Sequence, residues 1–205
     1  MNYLCSMIKA IILDMGGVIL DLDVELCVRN FKEKAGFEGI EEFLDIYHQK
    51  GFISDFEEGL LDEDGFYAEC LKHCPEGTSP KVIEESLYSL LWRAKPDMVR
   101  QIRELSEKYS LYVLSNNNPI CTRRFLRILD SEGIRDCFKQ YFFSFRMKLL
   151  KPGREIYDKV VGNIGFRPEE CLFIDDSISN VKGAKVAGLD AVLYKDGLNI
   201  SDYVK

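Results

Sequence analysis

The chain has 205 residues, 46% hydrophobic and 30% charged, with a formal net charge of −7 and 6 prolines. This suits one well-buried core with a small accessory domain, excludes disorder and makes two large domains a tight fit. The acidic balance repels a phosphate backbone and no basic run with interleaved aromatics occurs, so nucleic acid is not an expected partner. A phosphorylated small molecule would need local positive charge at its site, from a metal ion or a few lysines. The apolar stretch from Ile8 to Leu20 is interrupted by Lys9 and Asp14 and lacks a cleavable signal pattern, so a cytoplasmic protein without membrane association is expected. Seven cysteines spread from Cys5 to Cys171 without C-x-x-C pairs read as reduced, mostly buried thiols. Met7 lies just before the apolar run, and residues 1–6 read as an optional leader.

In chain order, Ile8 to Leu13 predicts a first strand that ends in Asp14-Met15-Gly16-Gly17, where paired glycines allow a sharp reversal. From Asp23 to about Trp92 the pattern is helical. Val24, Val28 and Phe31 share one face, and Ile40, Phe43, Leu44 and Tyr47 follow the helical spacing. A helix after Asp62 carries Phe66, Cys70 and Cys74; another opens at Ser79-Pro80 and carries Ile83, Leu87, Leu90 and Ala94. Beyond Lys95-Pro96, helix and strand alternate: a helix with Met98, Ile102 and Leu105, a strand Leu111 to Leu114, a helix Pro119 to Leu129 and a strand Tyr141 to Ser144. A helix Pro152 to Ile164, a strand Cys171 to Ile174, a helix Val181 to Ala187 and a strand Ala191 to Tyr194 complete the series. The expected fold is α/β, a doubly wound (Rossmann-like) parallel sheet with a small α-helical cap inserted after the first strand. Residues 1–20 and 95–205 form the core domain and 21–94 the cap.

Ligands of such sheets sit beyond the carboxyl ends of the strands. There the sequence places Asp14, Ser115-Asn116, Lys151 and Asp175-Asp176. Carboxylates, a hydroxyl and an ammonium suit a hard cation with a phosphate. With His48 and His73 the only histidines, a histidine-rich zinc site and a Ser-His-Asp hydrolase are poorly supported, and no Walker A or G-x-G-x-x-G sequence occurs. Taken singly, Asp14 or Asp175 could cap a helix and the run from Ser115 to Pro119 could be only a turn; four such groups at four strand ends favour a site. Lys151, directly before Pro152, is preferred to Lys148. Cys70, His73 and Cys74 lack a fourth ligand and read as packing. Trp92 and its neighbours Tyr88 and Leu91 read as core or domain-junction packing, and Asp21 and Asp23 as capping residues.

In order and spacing, Asp14-Met15-Gly16-Gly17-Val18, Ser115-Asn116, Lys151-Pro152 and Asp175-Asp176 resemble the four motifs of the haloacid dehalogenase (HAD) superfamily. The resemblance covers nearly the whole chain and is nearest to the bacterial HAD-like subgroup that includes glucose-1-phosphate phosphatases. It implies a Mg²⁺-dependent phosphatase acting on a small phosphorylated metabolite, a sugar phosphate being favoured. Asp14 would be the nucleophile, forming an aspartyl-phosphate, and would also bind the metal together with the carbonyl of Gly16 and with Asp176. Asp175 would act through water or as a supporting partner. Ser115 would donate to a phosphate oxygen, Lys151 would balance charge, and Gly17 and Asn116 would join them in holding the substrate.

In most HAD phosphatases a second aspartate, two residues after the nucleophile, serves as general acid and base; here Gly16 stands there. Losing a positioned proton donor typically costs on the order of 10² to 10⁴ in rate. Either the leaving group departs with less help, or Asp21, Asp23 or a cap residue substitutes. Dehalogenases of the superfamily also lack that aspartate, but the Asp175-Asp176 pair, mutually repulsive without a cation, argues for Mg²⁺. A non-catalytic HAD-like binding domain is the alternative from another class, favoured only by Gly16. Nothing in the sequence fixes an oligomeric state.

Overall fold

A computed structural model describes residues 7–44 and 50–204 of the chain. Residues 1–6, Cys5 among them, and Tyr47 and His48 lie outside the described residues. The first strand, β1 (Ala10–Leu13), is buried throughout. Ile11 and Leu13 join one core cluster and Ala10 and Ile12 another, the two-residue alternation of a strand covered on both faces. A tight turn leads to β2 (Leu20–Leu22). Helices α1 (Val24–Glu33), α2 (Gly51–Glu58), α3 (Glu63–Leu71) and α4 (Pro80–Tyr88) follow, and the chain returns in β3 (Leu91–Ala94), antiparallel to β2. Asp23 caps α1 by accepting from the Leu26 amide, and Asp62 caps α3 by accepting from that of Gly65, both at 2.8 Å, each satisfying a free amide of a first turn.

The remainder alternates as its periodicity predicts: α5 (Pro96–Ser106), β4 (Ser110–Ser115), α6 (Pro119–Ser131), β5 (Phe138–Phe143), α7 (Ser144–Met147), α8 (Arg154–Ile164), β6 (Cys171–Asp175), α9 (Ile178–Val186) and β7 (Asp190–Leu193). The sheet order is β5-β4-β1-β6-β7, every pair parallel. Ile156, Tyr157 and Val160 of α8 and Val181 and Ala184 of α9 pack one face. Ile102 of α5 and Phe125 of α6 pack the other, in a cluster continuous with Phe31, Phe56 and Phe66 of the helical segment. Each such fully buried side chain contributes about 1.5–3 kcal/mol relative to exposure, so the helical segment and the sheet share one apolar foundation. Strand β1 is central, with the chain continuing to one side through β4 and β5 and crossing to the other for β6 and β7. The crevice at the carboxyl ends of β1 and β6 is therefore the topological switch point. Among the described residues no helix is long and apolar enough to cross a membrane.

The structure departs from the sequence-based expectation in several places. The helix opening at Pro80 stops at Tyr88, and Ala94, expected on it, belongs to β3. The spacing of Leu87, Leu90 and Ala94 satisfies helix and strand alike over so short a run. Pairing decides it: Leu20 lies opposite Ala94 and Asp21 opposite Arg93. Ser79 precedes α4 without a side-chain capping bond. Among the described residues the spacing from Ile40 gives a 3-10 turn, Ile40–Glu42, while α2 went unpredicted although Phe52, Ile53 and Phe56 are buried on it. Strand β5 begins at Phe138, and Ser144, expected at its end, opens α7.

Candidate active site

Asp14 is the first residue past β1, and its amide still donates to the carbonyl of Ile174 at 2.9 Å, so β1 and β6 stay paired up to the site. The following turn closes through Ile19 and Leu20, whose amides both donate to the carbonyl of Met15 at 2.9 Å, and through Gly17, whose amide donates to that of Leu20. Gly17 has φ 71°, and a Cβ there would stand 2.1 Å from Asp176 Oδ2. Only glycine allows both the left-handed turn and the approach of that carboxylate. Gly16 needs no such conformation; a Cβ on it would meet Leu22 Cδ1 at 3.1 Å.

Lys151 reaches the site from the loop before α8. Its Nζ lies 2.9 Å from Asp14 Oδ1 and 2.6 Å from Asp175 Oδ2 and donates to the carbonyl of Leu114 at 3.2 Å, with the residue only 4% exposed. Asn116 fixes the Lys151 backbone reciprocally: the Lys151 amide donates to Asn116 Oδ1 at 2.8 Å, and Asn116 Nδ2 donates to the Lys151 carbonyl at 2.9 Å. The Lys151–Pro152 peptide is cis. Asn116, expected to hold substrate, lines the cavity but has both ends of its amide engaged in this clamp. Lys148 is exposed, in a left-handed conformation with φ 56°.

Asp175, at the end of β6, is fully buried. Its Oδ1 accepts from the Ser177 amide at 2.8 Å, and both oxygens accept from Asn180 Nδ2 at 3.1 Å. Asn180, in the first turn of α9, escaped the sequence reading; an amide five residues past the first aspartate of a pair is the signal that could have flagged it. Ser115 is buried at the end of β4 and its hydroxyl donates to the carbonyl of Asn116 at 3.2 Å. Carboxylate oxygens of Asp14, Asp175 and Asp176 can all lie within 4.8 Å of one another, the one such group of potential metal ligands among the described residues. Three carboxylates face one ammonium there, so the cluster carries surplus negative charge and offers only hard oxygen donors, which fits a small divalent cation.

The electrostatics follow from burial. Burial pushes the Asp14 carboxyl up to about 7; Lys151 pulls it down, while Asp175 and Asp176 push it further up. Burial, then Asp175, also raises the Asp176 carboxyl. Burial alone would lower the Lys151 ammonium, but Asp14 and Asp175 outweigh it and hold the charge firmly above its ordinary range. Accumulated like charge is what a bound cation would relieve.

These groups open into a cavity of about 280 Å³ that Gly16 and Asp176 also line. The helical segment supplies its other wall, mostly apolar, through Leu44, Ile53, Phe66, Leu87 and Leu91. Ser54 and Glu57 of α2 are the polar residues there. Glu57 also escaped the sequence reading; it stands one helical turn after Ile53, an acid on the apolar face of α2. Asp21 and Asp23, the suggested stand-ins for a missing acid, do not line the cavity: Asp21 pairs with Arg93 and Lys95, and Asp23 caps α1. Trp92, read as packing, is 53% exposed, with the Arg93 guanidinium 4.1 Å from its ring centroid. His73 stacks on Phe37 at 4.6 Å, and the Cys74 thiol donates to the carbonyl of Cys70, in keeping with packing.

The chain is similar to proteins of known activity and structure. It is 30% identical over 198 residues, 93% of its own length and 94% of the relative's, to D-ribitol-5-phosphate phosphatase of Bacteroides thetaiotaomicron. It is 25% identical over 193 residues, 90% of this chain and 83% of the relative, to a phosphorylated carbohydrates phosphatase of Thermotoga maritima. The crystal structure of a wild-type HAD family enzyme from Bacteroides thetaiotaomicron, in complex with magnesium and inorganic phosphate, superposes with a TM-score of 0.85 at 30% identity, over 97% of this chain and 100% of that one. The family of haloacid dehalogenase-like hydrolases matches residues 8–188, from just before β1 to just beyond α9, and the chain belongs to that family of hydrolases.

Proposed function

We propose that this hydrolase is a magnesium-dependent phosphatase of small phosphorylated metabolites, with sugar or polyol phosphates as the favoured class. The observation that carries the reading is the Lys151 ammonium held between Asp14 and Asp175, with Asp176 beside them at the switch point. Asp14 Oδ1 is engaged by Lys151, which leaves Oδ2 to attack phosphorus and form an aspartyl-phosphate. Lys151 neutralises charge on nucleophile and phosphoryl group, and its three-way anchoring keeps it in place at no cost in reorganisation. Ser115, turned from the carbonyl of Asn116, donates to a phosphate oxygen; Gly17 lets the backbone approach closely. Asp175 and Asn116 position Lys151, each from a different side. Magnesium would be held by Asp14, Asp176 and the carbonyl of Gly16, and when bound it supplies Lewis-acid stabilisation of the transferring group.

Residues 21–94 act as a cap on a core formed by 1–20 and 95–205, shielding the reaction from bulk water with the apolar wall described above. The names of the two phosphatase relatives and the magnesium and phosphate of the solved structure support this assignment. Six free cysteines among the described residues accord with a reducing, cytoplasmic setting.

The test is hydrolysis of 4-nitrophenyl phosphate and a panel of sugar and polyol phosphates, with and without Mg²⁺, beside Asp14→Asn. The expected result is turnover that requires the metal and disappears in the variant. Metal-independent turnover that survives Asp14→Asn would overturn the mechanism, and consumption of 2-haloacids in place of phosphate esters would overturn the reaction class.

A further inference from the structure

The departing alkoxide of a phosphate ester needs a proton, and the turn after β1 cannot give one. Gly16 has no side chain, and Leu22 stands 3.1 Å from where a Cβ on it would begin. Among the described residues, the ionisable side chains that line the cavity are Asp14, Asp176, Lys151, Cys121 and Glu57. Asp14 is committed to phosphorus and Asp176 to the metal side. Lys151 is held by two carboxylates and a carbonyl. Burial pushes the Cys121 thiol up to about 12.

Glu57 differs from all of these. It lies in the last turn of α2, on the helical side of the cavity, and its carboxyl makes no hydrogen bond with the described residues. Its backbone is held firmly. Ser144, fully buried at the start of α7, donates its hydroxyl to the carbonyl of Glu57 at 2.5 Å and accepts from the amide of Asn117 at 2.9 Å, tying this turn to the loop that follows Ser115. Two residues on, Gly59 has φ 76°, and a Cβ there would stand 2.1 Å from the carbonyl oxygen of Phe145. The end of α2 therefore packs backbone to backbone on α7, in a manner only glycine permits. A carboxyl without a hydrogen-bond partner among the described residues thus lines the helical side of the cavity that Asp14 and Lys151 line from the sheet side.

Resting on the phosphatase reading above, we propose that Glu57 is the general acid and base of the reaction, supplied from the helical segment in place of the carboxyl that Gly16 lacks. In the first step Asp14 Oδ2 bonds to phosphorus and the bond from phosphorus to the ester oxygen breaks. Its electron pair stays on that oxygen, which takes the proton of Glu57, leaving an alcohol and a Glu57 carboxylate. In the second step the carboxylate removes a proton from water as the water oxygen bonds to phosphorus; the bond to Asp14 breaks, inorganic phosphate forms, and Glu57 regains its proton. Burial pushes the Glu57 carboxyl up to about 8, Lys151 opposing and Asp14 reinforcing the rise, so it holds a transferable proton near neutral pH.

The experiment compares wild type and Glu57→Gln, with Mg²⁺ present, on 4-nitrophenyl phosphate and on a polyol phosphate, whose alkoxide leaves far less readily. A lost proton donor costs on the order of 10² to 10⁴ on the alkyl ester and less than a tenth of that loss on the aryl ester, so the plot of log kcat/KM against leaving-group pKa steepens. Equal losses on both esters, or none, overturn the assignment while wild-type turnover keeps the phosphatase reading intact. A wild type inert toward every monoester removes that reading, and this one with it. Should Glu57→Gln fail to fold, Glu57→Asp, which keeps the proton but withdraws it by one methylene, carries the same comparison.

Discussion

On the sheet side of the cavity nearly every polar group is committed to a protein partner: Lys151 to Asp14, Asp175 and Leu114, Asp175 also to Ser177 and Asn180, and Asn116 to the Lys151 backbone. On the helical side the wall is apolar, and the Glu57 carboxyl makes no bond with the described residues. On the proposed reading, the sheet side is preorganised for a group whose charge and geometry never vary, the phosphoryl group. The helical side confronts the part of the substrate that differs from one ester to the next, where shape and a single proton matter more than a fixed network. In the proposed function, phosphate chemistry and substrate choice would reside on separate walls, joined at Ser144 and at the contact of Gly59 with Phe145.

The sharpest way to break that division is Lys151→Met. It leaves Asp14 and Asp175 facing each other without their shared cation, and turnover should fall on the order of 10² to 10³. Urea unfolding should show a destabilisation of about 3–5 kcal/mol, the cost of stranding buried charge; an intact, active variant would mean that the network is ornamental. Gly17→Ala is the next test. Its Cβ would stand 2.1 Å from Asp176 Oδ2 and force the carboxylate aside, so calorimetric titration should find Mg²⁺ affinity reduced about 10- to 100-fold. Unchanged affinity would remove Asp176 from the metal site.

Smallest is the expected effect of Arg123→Gln, which probes how the helical side is held to the core. Arg123 on α6 lies 2.6 Å from Glu63 of α3 and 2.9 Å from Glu84 of α4, bridging sheet-packed and helical elements. With 39% of its side chain exposed, screening limits the stability loss to below about 1 kcal/mol. KM for the preferred ester should rise a few-fold with kcat nearly unchanged, and added salt should reproduce part of the effect in wild type. A loss confined to kcat would show that the two walls are not separable in this way.

The sheet and its site could be read from the sequence because both depend on local pattern. Short apolar runs at regular intervals mark the buried strands, and the polar residue ending each one marks a point beyond the sheet edge. Asp14, Ser115, Asp175 and Asp176 are candidates by that rule, and Lys151, in the loop beyond the third predicted strand, by the Lys-Pro pair of the family motif. The ribbon of β2 and β3 was not legible, because Leu91 to Ala94 suits helix or strand until Leu20 and Asp21, some 72 residues earlier, supply hydrogen-bonding partners. Trp92 was misread for the same reason, since pairing turns it outward. Asn116 could be placed at the site but not given its part in holding Lys151, which requires knowing that two distant loops meet.

By itself, then, the sequence determined the strand ends, the charge they carry and the family to which they belong, since strand periodicity and the four motifs are properties of neighbouring residues. The tertiary structure decided how those ends converge and what faces them. That Asp175 shares Lys151 with Asp14, and that Glu57 stands opposite them from a helix the sequence did not reveal, depends on packing between segments far apart in the chain. No local spacing encodes such contacts; they arise when buried apolar faces fix the relative position of elements whose polar tips then meet.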